Sequence, residues 1–195
     1  MKNRVGIIFV LILSFILRVW TLDKVPPGIF GDELDVGYHA YSLLQTGRDY
    51  YGQITPVYIH SFSEWRAPLL MYVTVPFVKL FGLNEWGIRL PSVFFGILSI
   101  YLLYLLIKNV FKNEKIALIS ALFLTISPWH LQYSRAAFEL SLLLFLILLS
   151  IYGLYLSSKN KLFLIMSALA AGLTFYSYNI ANVFIPLFFI PIIFV

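Results

Sequence analysis

The sequence predicts an all-α fold: a polytopic transmembrane helix bundle with one large outer loop, carrying short interfacial helices, between its first two spans. Three observations carry this reading. The 195 residues are 61% hydrophobic and only 12% charged, where soluble domains run at roughly 45–50% and about 25%. Mean hydropathy is +0.88, and the apolar residues fall in runs near the length needed to cross a bilayer. Seven of the nine acids lie between Asp23 and Arg89, so one insertion holds most of the acidic side chains. Cysteine is absent, which removes disulfide frameworks and Cys-ligated metals. The formal charge of +5 does not argue for nucleic acid, because in a membrane chain the distribution of Lys and Arg decides more than their sum.

The first apolar run, Val5 to Leu22, is 18 residues, or ~27 Å as helix against a hydrocarbon core of ~30 Å. No small-x-small cleavage site follows it, so it reads as an uncleaved anchor with its basic end in the cytoplasm. The remaining spans are expected at about 90–107, 116–131, 138–156, 162–178 and 183–195. The run 69–81 is also apolar but short, interrupted by Pro76 and closed by Lys79. If it does not cross, Lys2, Arg4, Lys108, Lys112, Lys115, Lys159 and Lys161 share one side, which the positive-inside rule makes the cytoplasm. Residues 23–89 then form the outer loop, with interfacial helices over about 33–46 and 69–81. The last run reaches Val195 with no loop after it, and the chain reads as the N-terminal part of a longer one. Ala168 and Gly172, four residues apart, predict a close helix contact.

Function is expected in the outer loop. Gly31-Asp32-Glu33-Leu34-Asp35 opens a helix that Gly47 should end. Asp32 as N-cap and Asp35 beside the helix dipole is one reading, while three carboxylates in four residues exceed what a cap requires. Asp32, Asp35 and His39 share a helix face, a pattern that a divalent cation or a solvated surface would equally produce. Arg66 and Arg89 each stand where an apolar helix meets the interface, suited either to snorkelling or to gripping an anion with a planar fork of donors. Between the third and fourth spans come Ser127-Pro128-Trp129-His130 and Ser134-Arg135, with Glu139 beyond. Arg135 and Glu139 are i, i+4 and either pair or serve a site. Tyr176 and Tyr178 read as interfacial belt.

In order along the chain, Asp32-Glu33, Gly47-Arg48-Asp49, Arg66-Ala67-Pro68-Leu69, Arg89-Leu90-Pro91-Ser92 and the Ser-Pro-Trp-His segment with Ser134, Arg135 and Glu139 resemble the GT-C membrane glycosyltransferases. The likeness is to the protein O-mannosyltransferase and aminoarabinose-transferase group, glycosyltransferase families 39 and 83. The resemblance implies inverting transfer of a sugar from a polyprenyl-phosphate carrier to an acceptor hydroxyl on a protein, lipid or glycan, at the outer face of the cell membrane. It makes Asp32, with Glu33 beside it, the catalytic pair and Arg66 a contact for the carrier phosphate. Tyr38, Arg89, His130, Arg135 and Glu139 complete the expected substrate-binding set. Asp35 stands where the aminoarabinose transferases carry Arg, which removes one expected phosphate contact. No cofactor or metal is required, and the expected partners besides donor and acceptor are membrane lipids. A transporter or lipid-binding module, with Arg18, Arg135 and Glu139 along a substrate path, is the alternative; transporters usually hold such groups near the midplane.

Overall fold

The computed structural model describes residues 2–61 and 63–193. Nine helices and one small hairpin run through them: α1 (Lys2–Val19), α2 (Gly31–Thr46), β1 (Ile59–Ser61), β2 (Glu64–Arg66), α3 (Leu69–Phe81), α4 (Glu85–Phe111), α5 (Glu114–Ile126), α6 (Pro128–Tyr133), α7 (Glu139–Ser157), α8 (Leu162–Thr174) and α9 (Ala181–Ile193). The fold class is the expected one. Among the described residues α4 and α7 are long and apolar enough to cross a membrane; their 27 and 19 residues span ~40 and ~28 Å.

α4 is the central post, packing on α1, α3, α5 and α7. On one side Ile7 and Val10 meet Ile100, Tyr104, Ala117 and Ala121, where the two alanines let α5 approach closely. On the other side Val36, Ile59, Leu70, Ile88 and Leu142 form the core that fixes the loop elements against α4 and α7. α1, α5 and α8 turn Phe9, Ile12, Phe15, Phe123, Ile165 and Leu169 outward, a surface that lipid covers without cost and water does not. α3 is 13 residues, ~20 Å of helix, and lies against α2 and α4.

Local chemistry explains the boundaries. Gly47 ends α2 in the left-handed region at φ 68°, its N–H donating to the Leu43 carbonyl. Asn84 opens α4 by accepting from the Gly87 N–H at 3.1 Å. Several expectations need correction. The N-cap of α2 is Phe30, not Asp32, because Glu33 Oε2 reaches back to the Phe30 N–H at 3.1 Å and starts the helix two residues earlier. The expected span 116–131 is broken at Ser127, which is extended at ψ 123°; Pro128 has no N–H for a continuous helix and instead starts α6. The expected span 162–178 stops at Thr174, and 90–107 is longer at both ends. The last expected span, 183–195, lies partly outside the described residues. A Cβ at Gly172 would meet nothing within 4 Å; the close contact between α7 and α8 is instead at Gly153, whose Cβ position lies 2.9 Å from Met166 and 3.1 Å from Ser167. Ser150 and Ser167 bond across the same seam, at 3.0 and 2.8 Å.

Candidate active site

The hairpin brings Arg66 to the N-terminal turn of α2. Its register pairs Ile59 with Arg66 and Ser61 with Glu64, and the outgoing chain turns into α3. Arg66 then makes three carboxylate contacts: NH2 to Asp32 Oδ1 at 2.9 Å, NH1 to Asp35 Oδ2 at 3.2 Å, and Nε to Glu64 Oε1 at 3.1 Å. Burial alone would lower its pKa, but the neighbouring Glu139, Asp32 and Asp35 outweigh burial and raise it. The guanidinium is therefore a permanent cation, already surrounded by acids.

The two aspartates of that fork differ. Asp35 is buried, with a 1% exposed side chain, and accepts from Ser61 Oγ at 2.7 Å, Tyr50 OH at 3.0 Å and Arg66. Burial and the Asp35 carboxylate together push the Tyr50 phenol up to about 12, so it remains a donor. Asp32 is 39% exposed, and among the described residues only its Oδ1 is hydrogen-bonded, to Arg66. Its Oδ2 is free to take a proton. One aspartate holds the arginine in place, and the other is presented by it.

Glu139 and a turn from far along the chain close the other side. α8 ends at Thr174, so residues 175–180 double back toward β2: the Leu69 N–H donates to Tyr176 O at 2.9 Å and Asn179 Nδ2 to Trp65 O at 3.4 Å. Glu64, Arg66, Glu139, Ser177, Tyr178 and Asn179 line the resulting cavity of about 240 Å³.

A second, larger space lies beside it. Between the end of α1, the 25–30 turn and α6 runs a groove of about 930 Å³, walled by Ile16, Trp20, Phe30, Leu131 and Phe138 with Arg135 among them. Phe30 and Phe138 approach each other, ring centroids 6.4 Å apart, and each is within two residues of an acid of the first site, Asp32 and Glu139. Arg135 does not pair with Glu139. It donates to Leu17 O at 2.6 Å, Trp20 O at 2.8 Å and Val25 O at 2.9 Å, and among the described residues no carboxylate pairs with it. Burial, and then the charge of Arg89, pull its pKa down.

Of the other expected residues, Glu33 and Arg89 meet each other. Arg89 Nε and NH2 reach Glu33 Oε1 and Oε2 at 2.8 and 2.9 Å, and NH1 and NH2 also donate to the carbonyls of Leu22, Pro26 and Gly28. Glu33 additionally accepts from the N–H groups of Phe30 and Ala137. Both side chains are 1% exposed or less, and their hydrogen-bonding capacity is used. His130 is buried, its Nδ1 2.8 Å from Arg18, and lines neither space. Tyr38 is exposed and edge-on to Tyr50 on the far side of Asp35, beside a separate hollow with Leu34 and Tyr51. Arg135 lines the groove, Glu139 the smaller cavity, and Arg18 neither of the two. Asp35 and His39 are 3.6 Å apart, but among the described residues no three acids or histidines are placed to hold a metal ion.

Arg66 thus bonds to Asp32 and lines one cavity with Glu139, while Arg135 stands in the neighbouring groove. Tyr178 and Asn179 were not foreseen, and the only sign of them in the sequence is a polar Tyr-Asn pair between two apolar runs.

Comparison with known proteins bears on the whole arrangement. Residues 65–195 match the profile of the family described as dolichyl-phosphate-mannose-protein mannosyltransferase. The chain belongs to that family. The mannosyltransferase match begins at Trp65, next to Arg66, and takes in Glu139 and the Tyr178–Asn179 turn, whereas Asp32 precedes it. Two curated relatives are an uncharacterized protein of Aquifex aeolicus (strain VF5), 31% identical over 134 residues, and the protein named "Putative mannosyltransferase YycA" of Bacillus subtilis (strain 168), 30% identical over 112 residues. These alignments cover 68% and 56% of the chain, but only 26% and 16% of the relatives. No solved structure matches.

Proposed function

We propose that this chain forms the donor-side part of a glycosyltransferase that moves a sugar from a polyprenyl phosphate to an acceptor hydroxyl at the outer face of the membrane, with inversion. The observation that carries the reading is the half-exposed Asp32, one oxygen fixed by Arg66 and the other free, beside an apolar groove that holds a guanidinium without a carboxylate partner. Family membership supports the lipid-linked donor.

Asp32 is the general base. An alcohol attacks C1 of the sugar only as its proton leaves, and a carboxylate in hydrogen-bond reach supplies about 10²- to 10⁴-fold. Arg66 orients that carboxylate through the bond to Oδ1. We place the carrier phosphate at Arg135 rather than at Arg66. Three acids already saturate Arg66 and would repel a phosphate, whereas the hydrogen bonds of Arg135 go to backbone carbonyls in a groove suited to a prenyl chain, where charge growing on the leaving phosphate is met by a preorganised donor. Glu33 and Arg89 are assigned to holding the α2 entry rather than to chemistry. The Lys-rich connections 108–115 and 159–161, at the opposite ends of the helices, support the outer-face placement.

The test is Asp32→Asn in membranes expressing the protein, with polyprenyl-phosphate sugars as donors. Transfer is expected to fall ~10²- to 10⁴-fold with membrane insertion and melting temperature unchanged. Transfer at the unmodified rate would overturn the reading.

A further inference from the structure

The turn between α8 and α9 was an expected membrane-interface belt, yet it folds back to form one wall of the Arg66 cavity. Three contacts hold it there: the Leu69 N–H on the Tyr176 carbonyl at 2.9 Å, Ser177 Oγ on the Glu139 carbonyl at 3.5 Å, and Asn179 Nδ2 on the Trp65 carbonyl at 3.4 Å. These bonds engage backbone groups on the partner side. Tyr178, 37% exposed, and Asn179 line the cavity together with Glu139, Glu64 and Arg66.

This is a combination suited to a polyhydroxylated ring. A carboxylate accepts from vicinal hydroxyls, a carboxamide adds a further polar group beside it, and an aromatic ring covers the C–H face of a sugar. The cavity is about 240 Å³, which at ~30 Å³ per water is the space of roughly eight waters, the size of one sugar ring and too small for a disaccharide. Its low apolar content sets it apart from the neighbouring groove, so the two spaces divide the donor by chemistry.

Resting on the glycosyl-transfer reading, we propose that Tyr178 and Asn179 are specificity-determining residues that bind the transferred monosaccharide in this cavity, with Glu139 as the opposing acceptor of its hydroxyl hydrogen bonds. They select the sugar and do not take part in bond making.

Saturation-transfer NMR on the detergent-solubilised protein, with methyl glycosides of mannose, glucose, galactose and N-acetylglucosamine as probes, tests this directly. At least one glycoside should bind. Tyr178→Ala and Asn179→Ala should each weaken it about tenfold, and Tyr178→Phe should bind as the unmodified protein does. Unchanged binding in both alanine variants, or no binding of any glycoside by the unmodified protein, would overturn the proposal. Thermal melting of each variant separates loss of binding from loss of fold. Because the probes carry no lipid phosphate, a failure of the transfer reading would appear in the Asp32 assay and not here. In a donor panel, Asn179→Ala should change the ratio of kcat/KM between two sugars through KM while kcat for the preferred one changes little; an unaltered ratio would also overturn it.

Discussion

Arg89 and Glu33, 56 positions apart, form a two-pronged ion pair sealed from solvent, and the remaining guanidinium donors take the carbonyls of Leu22, Pro26 and Gly28. This one side chain of α4 fixes both the exit of α1 and the entry of α2. Removing one partner strands a buried charge, which costs about 3–5 kcal/mol. Glu33→Gln and Arg89→Ala should therefore lower the melting temperature and the yield of folded protein. Arg89→Lys should recover little, since a single ammonium cannot replace a fork of five donors. Glu33→Gln melting like the unmodified protein while losing transfer would return Glu33 to catalysis.

Which of these relationships the sequence discloses depends on their range. α2 and α3 are legible because their signals are local: acids before an apolar period, a glycine after it, a proline and a lysine at the end of a short run. The break at Ser127–Pro128 carries an equally local signal, but an apolar run that needs length to cross the bilayer favours reading through it. The Glu33–Arg89 pair has no local signature, because the same acid at a helix start serves a cap, a pair or a site. The hairpin is hidden for another reason: its strands are three residues each, shorter than any alternating pattern. Arg66 was found as an arginine at an interface, yet that it is ringed by four carboxylates emerges only when α2, β2 and the start of α7 meet.

The contrast between the two aspartates of the Arg66 fork predicts different variant behaviour. Asp35→Asn retains shape but leaves the buried Ser61, Tyr50 and Arg66 donors with a weaker acceptor, and loss of a charged hydrogen bond costs about 1.5–3 kcal/mol. Its melting temperature should fall. Asp32→Asn, exposed and bonded once, should melt within ~0.5 kcal/mol of the unmodified protein and lose transfer. Thermal melts of the two variants side by side check this. A reversed order would show that the exposed carboxylate is the structural one.

Arg135 lines the large groove with only backbone carbonyls for partners. Arg135→Lys keeps a charge but not the simultaneous reach to three carbonyls and a ligand. Affinity for polyprenyl phosphate, measured by quenching of the Trp20 and Trp129 fluorescence, should fall about 10- to 100-fold, and KM for the donor should rise more than kcat falls. Equal affinity in Arg135→Lys and Arg135→Gln would remove the phosphate from this position.

His39 is buried against Tyr50, ring centroids 3.9 Å apart, with Asp35 Oδ1 3.6 Å from its Nε2. Burial lowers its pKa; Asp35 and Asp49 pull it up and Arg66 pulls it down, with burial prevailing. The folded protein thus holds the ring neutral, while the unfolded chain takes a proton near pH ~6.5. The unfolded state binds more protons as pH falls through that value, so stability present above it is lost below it, until the folded-state pKa is also passed. The melting temperature should drop between about pH 7.5 and about pH 5.5, and His39→Phe should flatten that slope. A slope unchanged in His39→Phe would assign the acid sensitivity to another group.

Two glycines predict opposite outcomes for the same substitution. A Cβ on Gly87 would lie 2.0 Å from the Gly82 carbonyl oxygen and 3.4 Å from Val78 Cα. Both are backbone atoms, which cannot rotate away as a side chain does, so α4 and the end of α3 must separate. Gly87→Ala should cost about 1–3 kcal/mol or more, and because this junction carries Arg89 two residues along, it should also loosen the Glu33 pair. Gly172 is helical, with nothing within 4 Å of its Cβ position, so Gly172→Ala adds helix propensity without a clash and should be neutral or stabilising by about 0.5–1 kcal/mol. Thermal melts of the two single variants decide it. If Gly172→Ala proves the more damaging, the close helix contact lies at α8, as the Ala168–Gly172 spacing alone would suggest, and not at the α3–α4 junction that positions the site.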